Sequence, residues 1–347
     1  MTKKFLLLLT LLSSLALTYA VGISVSPARY EISADKGKTV YGEFTVTNDS
    51  DSDQIYNTSV ENFTAQGETG VPLFKKTNTD VASWLHVDSS VSIAKGEKKT
   101  LNFSISVPDD VEAGGHFGAI FLYAKPAEGK DISVAIGTKI GMLILLKVNG
   151  NIKLGGDIKD FSAINPREAD ARSRFYFTDL PINLSYRFTN SGNDRVNPYG
   201  VVVIKNTLGL TSEIISANPI QGNVLPQSTR KFDIVWGVGE KEDVPASYFT
   251  RAFYQAKHFA LGFYTARLTI AYDVQAKKGI TESSIDIAKN IESSSMKVDN
   301  SLRILVFPWQ LFTLSSAFLV FFFFISKRGV KKYNKWIIKQ AKLSMQK

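Results

Sequence analysis

The stretch Ile304 to Ile325 carries no charge, is rich in Phe and Leu, and runs straight into the cations Lys327, Arg328, Lys331 and Lys332. At about 1.5 Å per residue, a helix of that length reaches across a hydrocarbon core of roughly 30 Å. It reads as one membrane-spanning helix, 304–325, with a basic tail, 326–347, on its far side and the lipid bilayer as its partner. Phe307 and Trp309 stand at the upstream end, where an amphipathic indole suits the headgroup level and a kink at Pro308 costs least. Phe321 and Phe324 belong to the deep end. The competing reading is a buried core helix, but such helices seldom lack every charge and then meet a wall of cations.

At the other end, Lys3 and Lys4 precede an apolar core from Phe5 to Leu17, then Thr18-Tyr19-Ala20 with small residues at the minus-three and minus-one places. This is the three-part layout of a secretory signal, 1–20, and cleavage is expected after Ala20. An uncleaved first helix is the alternative. Signal and stop-transfer helix together place the domains after residue 20 outside the cell membrane, extracellular or periplasmic, and the tail in the cytoplasm, with the cations on the inner side.

That arrangement accounts for the charge. The chain is +9 with a pI near 9.4. The tail from Lys327 holds eight cations and no acid, and the leader holds two, so the exported region is left with a net charge of −1. A nucleic-acid partner is therefore discarded. The chain has no cysteine, so its exported domains must be stable through their own cores, and thiolate-metal, iron–sulfur and cysteine-nucleophile chemistry is excluded.

Residues 21–150 read as strands. Leu101, Phe103, Ile105 and Val107 alternate with polar residues between the turns Lys95-Gly96-Glu97 and Pro108-Asp109-Asp110, and Gly42, Phe44 and Val46 alternate before Thr47-Asn48. Glu128-Gly129-Lys130 reads as a turn into a strand at Ile132, Val134 and Ile136. Ile140 to Val148 is apolar on both phases, as suits a strand covered on both faces or lying between the sandwich halves. After Gly150 the plan recurs: Ile182 to Phe188 alternate into Asn190-Ser191-Gly192, Val224 to Ser228 leads into Phe232, Ile234 and Trp236, and Gly262 opens Tyr264 to Tyr272 before Ile285 and Ile287. Three landmarks in one order argue for a duplicated module, or for convergence on one architecture. The expected fold is all-β: two tandem immunoglobulin-like antiparallel β-sandwiches, 21–150 and 151–289, a polar stalk 290–303, then the transmembrane helix. Residues 237–259 read as a long loop carrying a short helix.

Ser24 to Ile32, Lys36-Gly37-Lys38-Thr39, Phe44 to Asn48, Ile93 to Glu97 and Gly114 to Ile120 together resemble the WxL-interacting surface proteins of Gram-positive bacteria and related envelope proteins. The resemblance implies two consecutive sandwiches, one membrane helix and a basic tail. It also implies a first domain that binds peptidoglycan and a second that binds partner or host proteins. Arg29, after Ser26-Pro27, resembles the first strand of periplasmic pilus chaperones, where a basic residue holds a subunit's carboxylate; the membrane helix and tail depart from those soluble proteins.

Candidate ligand-contacting residues are Arg29, Trp84, His86 and His116. Trp84 lies among polar neighbours and can offer an indole to a sugar face, whereas Trp236, in phase with Phe232 and Ile234, reads as core. His86, His116 and His258 lie far apart without acids at ligand spacing, so neither a metal nor another cofactor is expected. No G-x-S-x-G elbow exposes a serine. Glu61, Glu68 or Asp80 could meet in a cleft as hydrolytic carboxylates, but loop acids are usually solvated. Gly114-Gly115-His116-Phe117-Gly118 precedes a strand and not a helix, so its glycines serve the backbone, Gly118 by permitting a bulge or the close approach of a neighbour. The tail reads either as a helix lying on anionic lipid or as a disordered stop-transfer segment.

The first functional expectation is a membrane-anchored, non-catalytic envelope protein for binding or adhesion, its sandwiches holding cell-wall polymer or surface proteins, without a small-molecule substrate. The second is a chaperone or subunit of surface assembly that accepts a client strand at an open sheet edge. A dispersed carboxylate hydrolase comes third.

Overall fold

The structure, a computed structural model, describes residues 22–124, 139–164, 172–237, 247–273 and 282–344, with side chains as far as 338. The expected leader, 1–20, and the expected turn at 128–130 and strand at 132–136 lie outside the described residues. Two compact units result: the first takes in Met1–Leu154 with two returning pieces, Ser191–Arg195 and Leu225–Ser228, and the second takes the rest.

In the first unit, β1 (Ser24–Ser26), β3 (Thr39–Thr47), β8 (Lys98–Ser106) and β6 (Leu85–Val87) form one sheet in the order β1-β3-β8-β6. The facing sheet runs β2 (Arg29–Ala34), β10 (Lys139–Val148), β9 (Gly114–Ala124), β4 (Gln54–Ala65), β5 (Pro72–Lys75), with β7 (Ser90–Ile93) also on β4. The alternation seen in the sequence puts Phe44, Leu101, Phe103 and Ile105 inside, against Ile120, Leu122, Met142, Ile144 and Leu146 of the second sheet. The double-phase hydrophobicity of β10 has a simple cause. Its even residues enter this core, while Leu145 joins Phe63 and Phe117 in a second cluster on the other face, with Leu143 and Leu225 packed against it.

In the second unit, β11 (Gly156–Ile164), β13 (Ile182–Asn190) and β16 (Ser228–Trp236) form one sheet. The other runs β12 (Tyr176–Phe177), β18 (Lys297–Val306), β17 (Gly262–Ala271), β14 (Tyr199–Asn206), β15 (Thr211–Ser216). The order repeats that of the first unit, down to one parallel pair in each: β2 on β10, and β12 on β18. Trp236 is fully buried, 4.8 Å from the ring of Tyr264, in the core with Phe188 and Leu268. Thus the fold is all-β, two immunoglobulin-like sandwiches of mostly antiparallel strands followed by one long apolar helix.

The repeat extends to a buried asparagine at the same turn. Asn48 is fully buried, its amide nitrogen 2.9, 3.0 and 3.1 Å from the carbonyls of Ser52, Ile93 and Ala94, while its oxygen accepts from the Ser50 amide at 3.1 Å and the Tyr56 hydroxyl at 3.0 Å. Asn190, also fully buried, donates to the Val224 carbonyl at 3.0 Å. Each asparagine ties the end of one strand to the segment leading into a neighbouring strand of its sheet, by hydrogen bonds to that segment's carbonyls.

Three expected boundaries change. Besides β11 to β18, the second unit holds the short helix anticipated in 237–259, α2 (Tyr248–Lys257), after a four-residue α1 (Val81–Trp84) in the first unit. Ile285 and Ile287, expected in a strand, lie in helix α3 (Ser284–Glu292), whose cap Ser283 accepts from the Asp286 amide. The supposed stalk 290–303 is instead the end of α3 and most of β18, so the second domain runs past 289 to Val306. Accordingly, the helix does not start at Ile304, because Ile304 and Val306 are fully buried core residues. Pro308, lacking an N–H, ends the ladder, and α4 (Trp309–Ser344) follows at once. Residues Trp309–Ile338 are long and apolar enough to cross a membrane, and only 6 % of that apolar window is buried. The tail continues the same helix to Ser344 in place of a disordered segment.

Asn48→Ala removes both halves of a buried polar hub and is expected to lower the stability of the first unit by about 2–3 kcal/mol. Hydrogen exchange of peptides from 22–124, measured on the full chain in detergent, reads this directly. A loss below about 0.5 kcal/mol would show that the hub is not what closes the turn.

Candidate functional site

Of the four candidate contact residues, the fold brings two together. Helix α1 is pressed onto β9 because Gly118 has no side chain: a Cβ there would lie 2.8 Å from Val81 Cγ1. Asn62 clasps the same segment, donating to the Thr79 carbonyl at 2.6 Å and accepting from the Ala82 amide at 2.9 Å. Asp80, at a φ of 51° unusual for a residue other than glycine, is thereby held with its carboxylate 2.7 Å from Nδ1 of His116. His116 Nε2 lies 3.0 Å from the Glu112 carbonyl, and the Trp84 ring covers the imidazole at 5.0 Å between centroids.

Both ring nitrogens of His116 therefore face acceptors, an arrangement that only the doubly protonated ring satisfies. Burial by itself lowers its pKa, but the Asp80 hydrogen bond, the Glu112 carbonyl and the two carboxylate charges outweigh it and raise the value above 6.5. A ring engaged on both sides has no free lone pair to act as a base. Its work is that of a clamp between α1 and β9. Trp84 is half-buried over that clamp and packed on the core, not standing out as a platform for a sugar face.

His86 is exposed on β6 opposite Ser104 and takes no part in the clamp. Arg29 opens β2 opposite Leu143, with Nε 3.2 Å from Glu31, whose other oxygen lies 3.5 Å from Arg195. Two of the three carboxylates considered for hydrolysis are separated, Asp80 on His116 and Glu61 on Lys139. Among the described residues no three of His, Asp and Glu come together to hold a metal ion.

Strand β10 offers a feature that no single residue announces. Its N-terminal end, Lys139 to Met142, pairs with Tyr123 to Ile120 of β9, whereas β2 covers only Leu143 to Val148 on the opposite side. The Leu143 amide donates outward to the Ala28 carbonyl at 2.9 Å. By the two-residue period, the amides of Gly141 and Lys139 point the same way, and among the described residues no strand pairs with them, although β1, which leads into β2, comes close to β10. Lysines commonly guard such edges. Here Lys139 bends inward across β9, 3.9 Å over the ring of Phe121 and bonded to Glu61, while Gly141 lets that ring lie on its backbone.

The second unit has a small cavity of about 150 Å³ between Tyr199, Asn218, Glu282 and Ile287. Its polar groups serve one another: Tyr199 is bonded to Glu282 and Asn290, and Asn218 to the Pro198 and Gly222 backbone. The residues expected to anchor the chain fall along one exit. Phe307 lies between β18 and α4, Trp309 is the first residue of α4, and Phe321, Phe324, Lys327, Arg328, Lys331 and Lys332 follow on the same exposed helix.

No family model matches the chain, and no curated protein matches it. Among solved structures it is similar to the class 5 fimbriae chaperone CfaA, at 11 % identity and a TM-score of 0.38 over 80 % of this chain and 98 % of that one. A chain of the Salmonella enterica SafA pilin complex with the SafB chaperone is similar at 9 % identity and a TM-score of 0.33, over 74 % and 93 %. A chain of the CsuC–CsuE chaperone–tip subunit complex of Acinetobacter baumannii is similar at 14 % and 0.31, over 61 % and 90 %. At these values, what the chain does has to be argued from its own residues.

Gly118→Ala is expected to cost about 1–3 kcal/mol by pushing Val81 away, and Val81→Ala in the same chain to restore most of it; strictly additive losses would mean that the two do not touch. Because the folded pKa of His116 lies above its ordinary value, its charge stabilises the unit fully below about pH 6.5, and that stability is lost as pH rises through the raised value. Asp80→Asn is thus expected to cost about 1 kcal/mol at about pH 5.5, discounted for the exposure of Asp80, and close to nothing at about pH 9. Thermal unfolding of both proteins across that range measures it, and a pH-independent difference would show that the contact does not depend on the charge of His116.

Proposed function

We propose that this chain is a non-enzymatic, single-pass membrane protein of the cell envelope that holds a surface-protein partner by strand addition. The observation that carries it is the half-covered β10. At Lys139 to Met142 a strand of the core sheet presents outward amides, its lysine is turned away over Phe121, and its even residues are anchored in the core. An extended segment docking there gains backbone hydrogen bonds to a rigid edge, and every second side chain of that segment meets the sheet face. Arg29, opposite Leu143 where the cover by β2 begins, stands next to the end of that stretch and remains partly exposed beside Glu31.

The tether is α4. Export by the leader, arrest by the apolar portion of α4 and the cations from Lys327 onward place both sandwiches outside and the tail in the cytoplasm. The same architecture, two sandwiches, a membrane helix and a basic tail, is the one implied by the resemblance to the WxL-interacting surface proteins, and that kinship belongs to the proposal. Peptidoglycan as the ligand does not, because Trp84 lies against His116 and offers no open indole.

A photocrosslinking amino acid at Lys139 of the full-length protein in its native membrane is expected to trap a polypeptide, and the same residue at Glu43 on β3 is expected to trap none. Equal trapping at both positions, or none at Lys139, would refute strand addition. Retention of the protein by purified peptidoglycan, unaffected by the Lys139 substitution, would return the choice to wall polymer.

A further inference from the structure

Helix α2 carries its aromatic residues on the wrong side for water. Its inner face holds Ala252, Tyr254 and Gln255, with Arg251 tied to Asp179 at 2.9 Å, whereas Phe249 and Phe253, one turn apart, are 60 % and 69 % exposed. A helix lying on its own domain ordinarily buries the phenylalanines and leaves the glutamine in solvent. The inversion is held firmly. Gln255 Nε2 donates to Gln310 Oε1 at 2.6 Å and to the Thr178 carbonyl at 3.1 Å, its Oε1 accepts from the Leu311 amide at 3.0 Å, and the Tyr248 ring packs 5.8 Å from Trp309. The aromatic stripe is thus locked beside the first turn of α4.

The sheet contributes to the same exit. Phe263 stands opposite Leu305 in the β17–β18 ladder, the Phe175 carbonyl accepts from the Leu305 amide at 2.8 Å, and Phe307 is the last residue before Pro308. All three rings are exposed. Five phenylalanines therefore surround the point at which α4 leaves the domain.

We propose that this collar is inserted into the interfacial layer of the leaflet that α4 enters, so that the second unit sits on the membrane and does not swing on a tether. The inference rests on the reading of α4 as the membrane span. Two observations favour lipid as the occupant. The patch is continuous with a helix whose apolar window is itself almost wholly exposed, so one apolar phase covers both. In addition, from Trp309 to Ser326 there are 18 residues before the first cation, about 27 Å of helix against a hydrocarbon core of roughly 30 Å. With no length to spare, Trp309 must lie at the edge of the hydrocarbon, and rings packed around it lie in the headgroup zone where aromatic belts and interfacial helices reside.

The chain has no cysteine, so single labels can be placed without removing any. Full-length protein with Phe253→Cys, Phe249→Cys, Ile220→Cys or Phe321→Cys carries a nitroxide and is reconstituted one copy per phosphatidylcholine nanodisc. Power-saturation EPR then compares access of oxygen with that of a water-soluble nickel chelate. The oxygen-to-nickel ratio is expected to be several-fold higher at positions 253 and 249 than at 220, which is exposed in the loop after β15 at the end of the sheet away from Pro308, and higher still at 321. A low, water-like ratio at 253 and 249 with a high ratio at 321 overturns the collar and leaves the span standing. A water-like ratio at 321 overturns the span itself. Exclusion of both reagents from 253 and 249 marks protein contact and also overturns the collar.

Discussion

The ten-residue ladder between β17 and β18 governs where everything after it can lie. From Ala271 opposite Lys297 to Gly262 opposite Val306, it fixes the last strand of the second sandwich in register and delivers the chain to Pro308 with Ile304 and Val306 locked in the core. No linker separates this strand from α4. The buried contact between Gln255 and Gln310 then fixes the direction of departure, because a buried amide pair separated from its partners loses its hydrogen bonds without gaining water. The foot of the apolar helix is therefore built into a folded domain, and the domain's edge and the start of the helix are one structural problem.

The first unit shows the complementary arrangement. There the strand equivalent to β18 is β10, and its covering strand β2 reaches only halfway along it. Both phases of β10 are apolar because each faces a packed layer, so the strand stays rigid although, among the described residues, no strand pairs with one side of its backbone at Lys139 to Met142. A rigid edge costs a docking segment less ordering than a mobile one. The paired engagement of Lys139 with Phe121 and Glu61 removes the charge that otherwise discourages pairing.

Much of the architecture was legible along the chain. The two-residue alternation at Leu101 to Val107 and at Ile182 to Phe188, and the recurring Asn48 and Asn190 turns, announce two sandwiches of one plan, because side-chain period and turn chemistry are local properties. The second domain's last strand escaped for a specific reason. Lys297 to Val306 is polar in composition, yet Val298, Leu302, Ile304 and Val306 recur at even spacing and face inward. Alternation, not average polarity, carried the signal. The candidate contacts were less legible still: His116 was singled out, but its acid, Asp80, lies 36 positions away and reaches it only because Val81 packs on Gly118.

What the order of residues determined by itself is what local chemistry can determine: the β character of the domains, the strand phases, the apolar helix with its basic end, and the absence of thiol chemistry. What only the tertiary structure decided depends on which distant segments meet. It set the start of α4 at Trp309, turned the phenylalanines of α2 outward, paired His116 with Asp80, and began the pairing of β2 with β10 only at Leu143. Each of these is a contact, or a contact withheld, between residues tens of positions apart, and no window along the chain contains both partners.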